Sequence, residues 1–167
     1  MDERDFDDFY QTSFRRLTAQ LYAMIGDRDE AEECVQEAFV RAWAHRRSLS
    51  RAGAPEAWVR TTAYRLAVSR WRRTRLGRRS PDRAHATPTS APPLSETHVA
   101  LVTALRELPE AQRRAIVLHH LPDLPVEAVA REVGAPVGTV KARLSRGRAA
   151  LAGLLGDRLT EEGIRRA

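Results

Sequence analysis

The sequence predicts an all-α protein: two small helical domains joined by a flexible, Pro-rich linker. Three observations predict this. Apolar residues recur three and four apart along seven stretches, and no stretch alternates with the period of two that a half-buried strand needs. Residues 76–93 break the periodicity with four prolines. A chain of 167 residues with 43% hydrophobic side chains can bury two small cores.

Phe14, Leu17, Leu21 and Met24 or Ile25 mark a first amphipathic helix that closes near Gly26. Asp27 or Asp29 can cap a second helix, whose first turn is acidic, as the macrodipole favours; Val35, Ala38, Phe39, Ala42 and Trp43 form its apolar stripe. A break over 48–54 contains Gly53. Pro55 then stands where a first-turn proline is tolerated, and Trp58, Thr61, Thr62, Leu66 and Ala67 continue at helical spacing to about Arg75.

The linker, 18 residues long, has a coil-like span of roughly 25 Å and a taut reach of ~60 Å. Beyond it Leu101, Val102, Leu105 and Leu108 mark a fourth helix. Pro109 and Glu110 open a fifth, carrying Ile116, Val117 and Leu121, and Pro122 ends it. Val126, Val129, Ala130 and Val133 give a short sixth, Gly134 turns the chain, and Val140, Leu144, Leu151 and Leu155 line a longer seventh. The expected division is therefore a domain at 1–75, the linker at 76–93, a domain at 94–157 and a polar tail at 158–167.

Charge is sorted along the chain. Residues 1–40 carry 4 Arg against 11 Asp and Glu, a net −7; residues 41–83 carry 13 Arg against 2 acids, +11; residues 84–167 carry 11 bases against 9 acids, +2. A basic middle suggests a polyanion such as nucleic acid, and an acidic first block suggests a second, basic surface engaged elsewhere. The longest apolar run, 149–155, is far too short to span a bilayer, and the acidic start Met1-Asp2-Glu3-Arg4-Asp5 is unlike a secretory signal. A cytoplasmic location without membrane insertion is expected. Cys34 is the single cysteine, which excludes an intramolecular disulfide and a cysteine-based zinc site.

The sharpest local signal lies between Pro125 and Lys141. A helix-turn-helix needs a small residue where its helices cross, here Ala130, and a glycine able to take positive φ in the turn, here Gly134; Val129, Val133 and Val140 form the wedge. The second helix offers Thr139, Lys141, Arg143, Arg146 and Arg148 to phosphates or base edges. A plain helical hairpin with a solvated basic face is the competing reading. In the first domain Arg60, Arg65, Arg70, Arg72, Arg73, Arg75, Arg78 and Arg79 surround Trp58, Tyr64 and Trp71. Interleaved Arg and aromatics suit a single strand, because guanidinium groups hold phosphates while rings stack on unpaired bases. Against this, Trp58 suits a core position, and Trp71 suits either.

The acidic helix over 29–37 has no histidine beside it and reads better as a solvated or partner-facing helix than as a metal or acid–base site. His119 and His120 are adjacent and diverge on a helix, so they cannot share one metal without distortion. Acidic neighbours would raise the Cys34 thiol pKa, which favours an inert thiol over a hydrolase nucleophile. No metal, cofactor or catalytic residue is expected.

Taken in order, these residues resemble a family. Asp29-x-Ala31-Glu32-Glu33-x-Val35-Gln36-Glu37-Ala38-Phe39-x-x-Ala42-Trp43, then Trp58 and an Arg-rich helix, then a linker, then Leu108-Pro109-x-x-x-Arg113 and Gly138-Thr139-Val140-Lys141-x-Arg143-Leu144-x-Arg146-Gly147-Arg148 are similar to the extracytoplasmic-function (ECF) sigma factors of bacterial RNA polymerase. The resemblance runs from about Asp5 to Leu155. It implies two all-helical domains, sigma regions two and four, and partners in core polymerase and promoter DNA, with an anti-sigma factor common. It implies that Asp29, Glu32, Glu33, Gln36 and Glu37 dock on the polymerase clamp helices. It assigns Arg60, Tyr64, Arg65, Arg70, Trp71, Arg72 and Arg73 to the melted minus-ten strand, and Thr139, Lys141, Arg143, Arg146 and Arg148 to the minus-thirty-five element. Arg65 stands where many members carry asparagine, which bears on the base preferred. Pro125 and Pro136 stand where a capping Ser or Thr is common, so each helix is expected to start with proline at its first position and lean on Asp123 or a backbone cap. A stand-alone helix-turn-helix repressor or activator is the alternative from another class.

Overall fold

A computed structural model describes residues 1–77 and 95–166, the side chains of 158–166 excepted. The described residues form seven α-helices and no strand: α1 (Glu3–Ile25), α2 (Arg28–Ala52), α3 (Pro55–Arg75), α4 (Glu96–Arg106), α5 (Glu110–His120), α6 (Val126–Val133) and α7 (Val137–Arg166). The chain divides into two compact units, Met1–Pro92 and Pro93–Ala167. Apart from Leu76 and Gly77, the expected linker lies outside the described residues, as do Arg78 and Arg79.

In the first unit α1, α2 and α3 pack on one another. Asp2 caps α1 reciprocally with Asp5: each carboxylate accepts from the other's backbone N–H, at 2.8 and 3.0 Å. Asp27, not Asp29, caps α2 by accepting from Glu30 N at 3.0 Å. Leu17, Leu21, Met24, Val35 and Val59 are fully buried, and Ala31, Ala38, Ala42 and Ala63 let the helices approach closely. An aromatic cluster closes one end, with Phe6 edge-on to Trp43 at 5.1 Å and Tyr10 edge-on to Phe39 at 5.0 Å. The break expected at 48–54 is much shorter: α2 runs on to Ala52 because Leu49 is buried two turns beyond Ala42, on the same stripe. Trp43, expected inside that stripe, is 37% exposed.

In the second unit α4, α5 and α6 each pack on α7. Ser95 caps α4, accepting from His98 N at 3.2 Å. Val102, Leu105, Leu108, Ile116, Val117, Leu118, Val129, Val140 and Leu144 make the core. Leu121, expected in it, is 41% exposed, because α5 ends at His120 and the chain turns away. Pro125 precedes α6 with φ −62° and ψ 155°, outside the helix, and Asp123 does not cap it but takes a positive φ of 53°. α7 likewise starts after Pro136, whose carbonyl accepts from Val140 N at 3.1 Å. Both prolines therefore sit one position earlier than expected, and the proline carbonyl makes the first helical hydrogen bond. Helical backbone also continues to Arg166, where a tail is expected.

The turn between α6 and α7 depends on Gly134, at φ 67°, whose N–H bonds to the Ala130 carbonyl. Ala130 is buried at the crossing and Val129 and Val140 are fully buried, while Val133 is only half-buried. Where α7 passes α5, Gly147 leaves room that a Cβ would fill, 3.0 Å from Ile116 Cγ1 and 3.3 Å from Leu108 Cδ2.

Candidate functional site

On α2, at about 100° per residue, Asp29, Glu32, Glu33, Gln36 and Glu37 fall on the side opposite Ala31, Ala38 and Ala42, which are buried. All five are exposed or half-exposed. Val40, 67% exposed, and Trp43 extend this face by two turns. Toward α1 it opens into a groove of about 450 Å³ lined by Phe6, Tyr10, Gln36, Phe39, Val40 and Trp43. Toward α3 it is tied down: Arg70 Nη1 lies 3.0 Å from Glu33 Oε2 and 3.5 Å from Glu30 Oε1. Glu37 pairs with Arg41 at 2.9 Å. Among the described residues Asp29, Glu32 and Gln36 make no ion pair or side-chain hydrogen bond. The exposed apolar residues Val40 and Trp43 belong to this surface and escape a reading by charge; their signal is the i, i+4, i+7 spacing from Gln36.

The strand-facing set on α3 divides. Arg60 is 3% exposed and its Nη1 donates to Gln20 Oε1 at 3.0 Å; Tyr64 is buried beside Val59 and Ala63. Both lie on the core face of α3. Arg65, Arg72 and Arg73 are exposed and, by helical register, share the opposite face with Thr61, Thr62 and Ser69. The threonines, read from sequence as part of the apolar period, belong to this polar face. Trp58 stands in the middle of the same face, four residues before Thr62 and seven before Arg65, and is half-buried, its ring 5.8 Å from that of His45. Trp71 is 57% exposed, with the Arg75 guanidinium 5.1 Å from the ring centroid.

On α7 the buried line is Val140, Leu144 and Gly147. Thr139, Arg143 and Arg146 fall along one flank of the outward face, and Lys141 and Arg148 along the other, with Gly138, Ala142 and Ser145 between them. Thr139, Lys141, Arg146 and Arg148 are exposed and Arg143 half-exposed. Arg148 Nε donates to His120 Nε2 at 3.2 Å.

Cys34 is fully buried, and its thiol donates to Glu30 Oε1 at 3.5 Å. Burial, aided by Glu30 and Glu33 and opposed by Arg70, pushes its pKa up to about 12. It is a core residue with no access to a substrate. Among the described residues no three His, Cys, Asp or Glu side chains gather as a metal site, and no helix is long and apolar enough to cross a membrane.

Comparison with known proteins places both units. Residues 9–76 match Sigma-70 region 2, and residues 98–151 match Sigma-70, region 4. The chain is 31% identical over 142 residues to the ECF RNA polymerase sigma factor EcfG of Rhodopseudomonas palustris, covering 83% of this chain and 78% of that protein. It is 28% identical over 165 residues to SigM of Mycobacterium tuberculosis, covering 99% and 84%. Among solved structures, the sigma factor RpoE from Bartonella quintana, crystallised with the anti-sigma factor NepR, superposes with a TM-score of 0.73 at 26% identity, covering 92% of this chain and 98% of that one. The likeness extends through both units in the same order, which a stand-alone repressor would not require. The chain belongs to the ECF family of RNA polymerase sigma factors.

Proposed function

We propose that residues 1–75 act as the region that grips core polymerase and holds the melted minus-ten strand, and residues 94–157 as the region that reads the minus-thirty-five duplex. The observation that carries the reading is the exposed face of α2. Asp29, Glu32 and Gln36, uncommitted among the described residues, stand beside Val40, Trp43 and the aromatic groove. That combination suits a partner helix with basic residues flanking an apolar side chain. Glu33 and Glu37 contribute to the same face while paired to Arg70 and Arg41.

On α3, Arg65, Arg72 and Arg73 supply phosphate contacts, Arg70 joins them if Glu33 is drawn to the polymerase, and Trp71 offers a ring for stacking. Opening DNA costs about a few kcal/mol per unstacked step, and a stacked base returns ~1–3 kcal/mol, so strand capture offsets melting only with help from the polymerase. On α7, two basic flanks bracketing small residues suit a helix lying in a major groove ~12 Å wide, each flank facing one phosphate backbone. The protein itself carries out no covalent chemistry. The RpoE–NepR complex supports an anti-sigma factor as a further partner of this chain.

Run-off transcription of a genomic library by core polymerase, with and without the full chain, tests the reading. Discrete new start sites that share two upstream elements are expected. Transcription that stays unselected in its presence overturns it.

A further inference from the structure

Arg148 and His120 meet from different helices, the last residue of α5 and the outward flank of α7. An arginine Nε only donates, so at 3.2 Å His120 Nε2 is the acceptor and the imidazole is neutral, with its proton on Nδ1. His119 fixes the ring from behind. Its Nδ1 donates to the Leu124 carbonyl at 2.7 Å, and the two imidazoles meet edge to face with centroids 4.9 Å apart. Burial, Arg148 and His119 together hold the His120 pKa below the usual histidine range, opposed by Asp123, which keeps the lone pair on Nε2 at neutral pH. Among the described residues this is the sole hydrogen bond of Arg148, so both Nη groups are left for another acceptor.

We propose that His120 is a positioning residue for promoter binding: by accepting from Arg148 Nε it fixes the guanidinium with its two Nη groups presented to a backbone phosphate of the duplex read by α7. The proposal rests on the reading of α7 given above. An unheld arginine must lose its side-chain freedom when it meets DNA, whereas one already fixed loses less. His120 need not touch the duplex to matter.

The test uses the full chain in complex with core polymerase and a duplex bearing an upstream element recovered by the run-off selection, with affinity followed by anisotropy across a salt series. Arg148→Ala is expected to lower the salt slope by about 0.9, the loss of one phosphate contact. His120→Ala is expected to weaken binding about two- to tenfold, and His120→Gln, which keeps an acceptor and does not titrate, to restore most of it. In the Arg148→Ala background His120→Ala should change nothing further. Equal effects of His120→Ala in both backgrounds, or a Gln variant no better than Ala, would overturn the proposal. If Arg143→Ala and Arg146→Ala weaken binding while Arg148→Ala does not, this inference alone fails; if none of the three weakens it, the reading of α7 fails.

Discussion

Arg60 separates a structural from a strand-binding role most sharply. Its guanidinium is inside the first unit and donates to Gln20 Oε1 at 3.0 Å, while Gln20 Nε2 is buried with no partner among the described residues. Replacing Arg60 with Met keeps the apolar stem but removes the donor, so the Gln20 amide is left with neither group hydrogen-bonded. A buried polar group left unsatisfied costs about 1–3 kcal/mol. For a unit of this size each kcal/mol corresponds to roughly 4–8 °C in Tm, so Arg60→Met should lower the melting temperature of the first unit by about 10 °C. Calorimetry of the full chain reads the shift. Binding of a single-stranded minus-ten oligonucleotide to the holoenzyme, measured well below the melting transition, should stay within about twofold of wild type, since the substituted side chain lies inside the unit and the exposed face of α3 is unchanged. A variant that melts normally but loses the strand would refute the reasoning and return Arg60 to the interface.

The α2 face predicts that Glu32→Lys with Gln36→Lys abolishes capture by core polymerase without altering helix content, because neither residue is needed within the unit; capture at wild-type level in a pull-down with unchanged circular dichroism would show a merely solvated face. Arg143→Ala or Arg146→Ala should weaken duplex binding and lower its salt slope by about 0.9, the loss of one phosphate contact, read also as loss of run-off product from a matched promoter. Gly134→Ala forces a Cβ into the left-handed region at φ 67° with no neighbour to relieve or worsen it, and should cost about 1–2 kcal/mol in urea unfolding of the second unit. Cys34 retains its proton to about pH 12 in the folded chain, whereas an unfolded thiol ionises near ~8.5. The stabilisation is therefore complete below about pH 8.5 and falls as pH rises from there toward the folded value. Cys34→Ala should show a shallower loss of urea midpoint between pH 8 and 10 than wild type.

Much of this was legible in the sequence where a residue's role repeats along a helix. The stripes through Leu17 and Leu21, through Val35 and Ala42, and through Val140 and Leu144 are periodic, and the turn at Gly134 has its own chemistry. Roles that depend on a single burial were harder to see. Leu49 continues the spacing of Val35 and Ala42 and carries α2 into the expected break, but the polar residues His45, Arg46 and Ser48 between them make the stripe look ended. Arg60 carried a clue that charge obscured: it stands three and seven residues before Ala63 and Ala67, on the buried line of α3. Tertiary pairs such as Arg70 with Glu33, or Arg148 with His120, join positions 37 and 28 residues apart and follow only from how the helices pack.

Gly147 has a consequence for how promoter choice can change. The missing side chain sets how near α7 runs to Ile116 and Leu108, and one added carbon there would require neighbours to yield by a few tenths of an ångström. Thr139 lies ~12 Å along the same axis, so a small tilt at the pivot becomes a lateral displacement at the tip. On the proposed reading of α7, substitutions at Ile116 or Leu108, both buried in the core of the second unit, would thereby re-aim the helix against the duplex.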